Sequence, residues 1–325
     1  MTYCGRIVTY SFRAGKTKMR PHFFVLLLLI GLIISACAST QNEQVDNKIV
    51  YGLTFEPSGI DPHIHQSAEL GIVLRQVYDT LVYRDPTSEE IIPGLATDWD
   101  ISEDGLVYTF NLRQDVTFHD DTPFNAQAVG ANLDRIVNPD TASQRARFML
   151  GTYNRHEIVD DYTIRFILTE PYSPLLDALS LVYLGMASPV ALSEYSTNRY
   201  QFHQVGTGPY EFVEYVPNDR IVIRRYEDYS WGPAFYDVLG ENHVEEIEFQ
   251  FFVDDATRLL ALESGDADVM GEIPPVDART LSGVTQIELL PVPVPGQPLQ
   301  FLFNTTRYPT DNLAMRQALI QATNR

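Results

Sequence analysis

The sequence predicts an α/β fold in which helices and strands alternate irregularly. Three observations lead there. Apolar residues recur at helical spacing in SAELGIVLRQVYDTLV, PFNAQAVGANLDRIV and VDDATRLLALESG, and at a spacing of two in LVYTFNL, HEIVDDYTIRFIL and YEFVEYVPNDRIVIRR. No regular strand–helix–strand series and no internal repeat connects them. The composition, 45% apolar and 20% charged over 325 residues, is that of a globular chain long enough for two lobes.

Taken in order, KIVYGLTFEPSGIDPH from Lys48 reads as a strand followed by a turn rich in Pro, Ser and Gly. The helix that follows has Ser67 as its expected N-cap, with Leu70, Val73, Leu74 and Val77 on one face. In LVYTFNLRQDVTF, Tyr108, Phe110 and Leu112 alternate against Val107, Thr109 and Asn111, as in a half-buried strand. Asn125 is the expected cap of the next helix, and the strand pair 156–168 turns at Asp160 and Asp161. Residues 171–200 read as helical and aromatic with proline breaks. From residue 205 strands return, as a hairpin turned at VPND. A helix from residue 253 ends at Gly265, a strand follows, and PVPVPG (291–296) is a proline-stiffened crossing.

The N-terminal segment points to export. Residues 1–36 carry Arg6, Arg13, Lys16, Lys18 and Arg20 with no acidic group, and lead into the apolar run FFVLLLLIGLII. That run is too short for a hydrocarbon core, which needs about 20 residues, and reads as the apolar part of a secretory signal beginning at Met1 or Met19. IISAC has the form of a lipobox, which makes Cys37 the expected lipidation site and first mature residue. Two or three acyl chains hold a protein stably on a membrane face, where one holds only marginally. Cys4 lies in the segment to be removed, so no disulfide is expected. Without the five basic residues of the leader the chain has 18 basic and 43 acidic groups, net −25, which excludes nucleic acid as a partner.

VGTGPYEF (205–212) resembles a phosphate loop at first sight. A Gly-x-Gly loop grips phosphate when a helix follows, because the free amides then face the anion. Here Pro209 follows, and after it a strand, so the nucleotide reading fails and Gly206 and Gly208 are expected to serve a tight backbone path. Catalytic signatures are also missing: there is no G-x-S-x-G elbow, no H-E-x-x-H helix and no cysteine after Cys37. The pairs Glu89-Glu90, Glu245-Glu246 and Asp254-Asp255 are adjacent along the chain, and neighbours in a strand face opposite ways. His63 and His65 would face one metal if extended, yet no third ligand is at hand. No metal and no cofactor is therefore expected. In HDDT, Asp121 takes a position suited to left-handed backbone, which Asp tolerates.

Four blocks in fixed order resemble the family 5 solute-binding proteins, the oligopeptide, dipeptide and nickel receptors of ABC importers. They are YDTLVYRDP with EEIIPGLATDWDISEDGLVYTFNLRQDVTFHDDTPFNAQAV, then VGTGPYEFVEY with DRIVIRRYEDYSWG, then TRLLALESGDADV, then FLFNTTRYPTDNLAMRQALIQATNR. The resemblance implies a type II periplasmic-binding-protein-like fold, two lobes closing over a solute. Its implied layout is a signal peptide (1–36), a discontinuous first lobe (37–80 and 198–296), an inserted subdomain (81–197) and the start of a second lobe (297–325). It also implies an extracytoplasmic, lipid-anchored receptor that passes an oligopeptide or dipeptide to ABC permease subunits. A peptide-sensing lipoprotein and a receptor for nickel or a metal complex are the alternatives, and a hydrolase ranks last. Glu56, Pro57 and Ser58, with Thr207 and Gly208 beside the cleft, are the implied ligand contacts. Relatives resembling the chain continue for on the order of 200 residues more. The chain from Met1 to Arg325 is therefore expected to lack the second lobe's charged anchors and, alone, to bind no peptide with micromolar affinity.

Overall fold

The computed structural model describes residues 47–239, 244–292 and 302–323. Cys37, the leader and residues 293–296 of PVPVPG lie outside them. The chain divides into two compact units, Met1–Gly271 and Glu272–Arg325. Among the described residues no helix is long and apolar enough to cross a membrane.

The first unit opens with β1 (Lys48–Leu53) and α1 (Leu70–Val77), followed by the short pair β2 (Val82–Arg84) and β3 (Ile91–Pro93). Next come β4 (Ala96–Ile101), β5 (Val107–Leu112), α2 (Ala126–Val137), α3 (Arg145–Met149), β6 (Tyr153–Asp160) and β7 (Thr163–Leu168). Short helices α4 (Leu175–Leu179), α5 (Pro189–Glu194) and α6 (Thr197–Tyr200) lead to β8 (Tyr210–Val216), β9 (Arg220–Arg225), β10 (Glu246–Phe251), α7 (Asp255–Ser264) and β11 (Val269–Met270).

Two sheets organise these elements. The first has the order β11-β1-β10-β9-β8. In it β1 runs parallel to β10 and β11, with Tyr51 opposite Phe249, while β8 and β9 form the expected antiparallel hairpin. Apolar spacing along β8 slips from two to three between Phe212 and Tyr215, because a bulge lies between Phe212 and Glu214. The second sheet, β4-β5-β7-β6, is antiparallel throughout, and the hairpin β6–β7 turns at Asp161 and Tyr162, one residue later than the sequence suggests.

Each sheet has its own core. Phe110, Phe118, Phe124 and Phe166 are sealed between the four-stranded sheet and α2, the Phe110 and Phe166 rings 4.9 Å apart. Burying each ring is worth roughly 1.5–3 kcal/mol. Leu53, Leu74, Val77, Tyr78, Tyr200 and Ile223 fill the other core. The chain leaves this core at Tyr78 and enters the first at Leu81.

The helix caps follow local chemistry, with one exception. Asn125 accepts from the Ala128 amide at 2.9 Å and Gly265 closes α7 at φ 79°. Ser67, however, does not cap α1, which begins three residues later and ends at Val77 rather than continuing through Val82. The reason lies in Glu69, whose carboxylate turns back to accept from the Thr54 and Phe55 amides at 3.0 Å and so ties the helix start to the end of β1. Asp121 takes φ 62°, the left-handed conformation expected of it.

The second unit contains α8 (Pro275–Leu281) and α9 (Leu313–Ala322), the latter capped by Asn312 at 2.8 Å from the Ala314 amide. Residues 272–292, expected with the first lobe, group with this unit.

Candidate functional site

The Gly-Thr-Gly turn docks on the C-terminal end of α1. The Gly208 amide donates to the Val77 carbonyl at 2.9 Å, satisfying a helix-end acceptor. A Cβ on Gly206 would stand 1.9 Å from the Val77 oxygen, and one on Gly208 would stand 2.5 Å from the Gln76 oxygen. Close approach of two backbones, rather than a left-handed φ, thus requires both glycines. His119 clamps the turn from the other side, its Nε2 donating to the Gly208 carbonyl at 2.9 Å and its backbone amide to the Gly206 carbonyl at 2.9 Å. Thr207 is wholly buried, and its carbonyl accepts from Trp231 Nε1 at 3.0 Å. Thr207 and Gly208 therefore hold the frame with all these groups engaged inside the protein.

Asp79 forms the hub of that frame. Its carboxylate is buried and accepts from the Tyr83 hydroxyl, from Tyr229 at 3.0 Å and from Trp231 Nε1 at 2.9 Å. Desolvation lifts its pKa, and the hydrogen bonds only partly offset the lift. Sequence reading missed this hub. Its signal was an acidic residue following an apolar helix face, together with the aromatic cluster of YEDYSWG.

Of the three residues in the FEPSG turn, Pro57 is buried, Glu56 half-buried and Ser58 exposed. Glu56 Oε1 accepts from the Asn218 amide at 2.6 Å and from the Tyr215 hydroxyl at 3.3 Å, which fastens the turn to the tip of the β8–β9 hairpin. Burial and the Glu56 carboxylate push the Tyr215 phenol up to about 12. Ser58 Oγ stands 3.4 Å from His65 Nδ1.

His63 and His65 do not share a face, contrary to the extended alternative. His63 sits in a turn, 1% exposed, with Nε2 3.0 Å from the Gly185 carbonyl and Nδ1 2.8 Å from Arg135, which also pairs with Asp61. Both ring nitrogens are in use, so neither is free for a metal. Among the described residues no group of three His, Cys, Asp or Glu is placed to hold a metal ion.

A groove of about 420 Å³ lies beside α1, lined among others by Gly71, Ile72, Arg75, Gln76, Arg145 and Tyr183. The Arg145 guanidinium stacks 4.0 Å over the Tyr183 ring and donates to the Gln66 carbonyl at 2.6 Å. Tyr183 donates to the Ser67 carbonyl at 2.6 Å, while the buried Ser67 Oγ has no hydrogen-bond partner among the described residues. Among the described residues no acidic one lines the groove. A second cavity, about 480 Å³, has its Arg113 already 3.6 Å from Asp115. Arg75 and Arg145 escaped the sequence reading, although basic residues on an exposed helix face and in the run SQRAR stand out in a chain of net charge −20.

The family model of bacterial extracellular solute-binding proteins, family 5 middle, matches residues 90–325. The glutathione-binding protein GsiB of Pectobacterium atrosepticum is 33% identical over 300 residues, 92% of this chain and 56% of that one. The chain thus spans about half the length of the curated relatives it matches. Among solved structures, the dipeptide-binding protein of Pseudoalteromonas sp. SM9913 in complex with Met-Leu superposes with a TM-score of 0.71 at 25% identity, over 85% of this chain and 57% of its own. DppA from Helicobacter pylori, in complex with the peptide STSA, gives 0.62 at 29% identity, over 73% and 49%. NikZ from Campylobacter jejuni, at 23% identity and 0.72 over 86% of this chain and 54% of its own, shows the fold alone. The α/β architecture is that of the type II periplasmic binding proteins, and the chain belongs to family 5 of the bacterial extracellular solute-binding proteins.

Proposed function

We propose that this chain supplies the first lobe of an extracytoplasmic receptor that captures a short peptide or peptide-like solute and delivers it to an ABC permease. The family match over residues 90–325 carries this reading. Relatives named for glutathione, and solved structures holding a dipeptide and a tetrapeptide, support solutes with a peptide backbone. In this reading residues 37–80 and the part of 198–296 that lies in the first unit form the lobe, with 81–197 its inserted subdomain. Exposed Ser58 and half-buried Glu56, on either side of buried Pro57, offer solute contacts from the turn after β1, with Thr207 and Gly208 proposed to contribute from the Gly-Thr-Gly turn. Binding is the whole task, with no catalytic step. A lipid on Cys37 holds the receptor at the membrane face, since the basic leader, short apolar run and IISAC end together fit that processing.

Uptake of radiolabelled glutathione and Met-Leu by cells with the gene deleted, and with it restored, tests the reading. Loss of uptake of either solute on deletion, restored by the gene, supports import. Unchanged uptake of both would overturn the import role and leave peptide sensing.

A further inference from the structure

We infer that Arg75 and Arg145 form a carboxylate subsite, which makes the solute of this receptor an anionic one. The inference rests on the receptor reading above and adds the charge class of the solute.

The two arginines come to the groove by different routes. Arg75 lies on the exposed face of α1, opposite the buried Leu70, Val73, Leu74 and Val77. Arg145 begins α3, seventy residues on, and is brought alongside by its hydrogen bond to the Gln66 carbonyl and its stacking on Tyr183. Both guanidiniums act on the Tyr183 phenol. Arg75, Arg145 and Tyr183 line the same groove, and there burial lifts the Tyr183 phenol's pKa while Arg145 and then Arg75 oppose the lift.

Neither arginine forms an ion pair among the described residues, whereas Arg84, Arg135, Arg220 and Arg258 all do. Arg147, Arg165 and Arg199 are likewise without an ion pair among the described residues, so what sets Arg75 and Arg145 apart is that both line one groove. In a chain carrying 43 acidic residues, two guanidiniums in one groove with no carboxylate in its wall leave a local positive field unspent. Arg145 is also held in place before any ligand arrives, since its planar group is stacked and one donor is engaged. Its remaining donors keep the fork geometry that suits a carboxylate. The volume, about 420 Å³, suits a group of amino-acid size.

A titration of the ¹⁵N-arginine-labelled protein with glutarate, followed by the arginine Nε–Hε resonances at constant ionic strength, tests the subsite without reference to import. Two resonances should shift saturably, and Arg75→Gln and Arg145→Gln should each remove one of them and weaken glutarate binding about tenfold. Glutaramide should move neither, and inorganic phosphate should bind more weakly than glutarate. Shifts that are absent, or spread evenly over all arginines, would overturn the subsite, as would phosphate binding tighter than glutarate. The circular-dichroism spectrum of both variants should match the parent's; the melting temperature should be unchanged for exposed Arg75 and fall slightly for half-buried Arg145, which loses its contacts with Gln66 and Tyr183. A saturable glutarate response with unchanged peptide uptake on gene deletion would refute the import role while leaving the subsite standing. The reverse pattern would do the opposite.

Discussion

Trp231 donates its indole N–H to the carboxylate of Asp79 at 2.9 Å across 152 residues of chain. The same N–H also reaches the Thr207 carbonyl at 3.0 Å, so one side chain joins the segment after β9 to the end of α1 and to the Gly-Thr-Gly turn. Trp231→Phe keeps most of the ring packing and deletes only this donor. The expected loss is about 1.5–3 kcal/mol, the range for a buried hydrogen bond to a charged group. Urea unfolding followed by tyrosine fluorescence reads it, and a loss below about 0.5 kcal/mol would remove Asp79 from its place as hub.

Gly206→Ala should be worse tolerated than Gly71→Ala. At Gly206 the new methyl meets the Val77 carbonyl at 1.9 Å, a backbone atom that cannot swing aside. At Gly71 it finds the Tyr183 hydroxyl at 3.6 Å, an ordinary contact. Overpacking against fixed backbone costs about 1–3 kcal/mol or more, while Gly to Ala inside a helix gains about 0.5–1 kcal/mol. Melting temperatures of the two variants should therefore move in opposite directions from that of the parent.

Acid should unfold the protein partly through two histidines. Burial and the Arg135 charge push His63 down to about 4, and burial does the same to His119. The partners explain why the neutral form is kept. In each ring Nε2–H donates to a carbonyl, that of Gly185 or Gly208, while Nδ1 accepts from an N–H, that of Arg135 or Gly206. A second proton on Nδ1 would face a donor. Both folded values lie below the unfolded value near 6.5, so the unfolded chain binds more protons between them. Stability is therefore present in full above about pH 6.5 and is lost as pH falls toward 4, by on the order of 3 kcal/mol per histidine. Unfolding free energies measured from pH 7 to pH 4 should show this slope, and His63→Gln should reduce it.

Glu56 is expected to matter for the hairpin tip. Glu56→Ala removes the acceptor of the Asn218 amide, which sits at φ 63°, and of the Tyr215 hydroxyl. The cost should be about 1–2 kcal/mol. Hydrogen exchange at the Asn218 amide should accelerate while that at Ile221, inside β9, changes by no more than the global loss. Equal acceleration at both sites would show that Glu56 supports the whole sheet rather than its tip.

Much of this fold was written locally. Alternation in VYTFNL set β5 and its buried face, and Asn125, Asp121 and Gly265 behaved as their side chains or lack of one require. Periodicity placed Leu70, Val73, Leu74 and Val77 in a core but not the limits of their helix, because Glu69 was claimed by the end of β1 and Val77's carbonyl by Gly208. Those partners are distant in sequence. The glycines of VGTG were legible as tight backbone for a reason that only the neighbouring helix end supplied.

Residue type and short-range spacing were enough for the fold class, the net acidic charge and the four blocks of family 5. Tertiary structure alone decided that Asp79 meets Tyr83, Tyr229 and Trp231, that His63 is sealed against Gly185, and that Arg75 and Arg145 face one groove. Apart from Asp79 and Tyr83, four positions from each other, such meetings join residues from about seventy to over a hundred and fifty positions apart. Local propensity carries no record of them, because they arise only once two cores have packed and the chain has passed from one to the other and back.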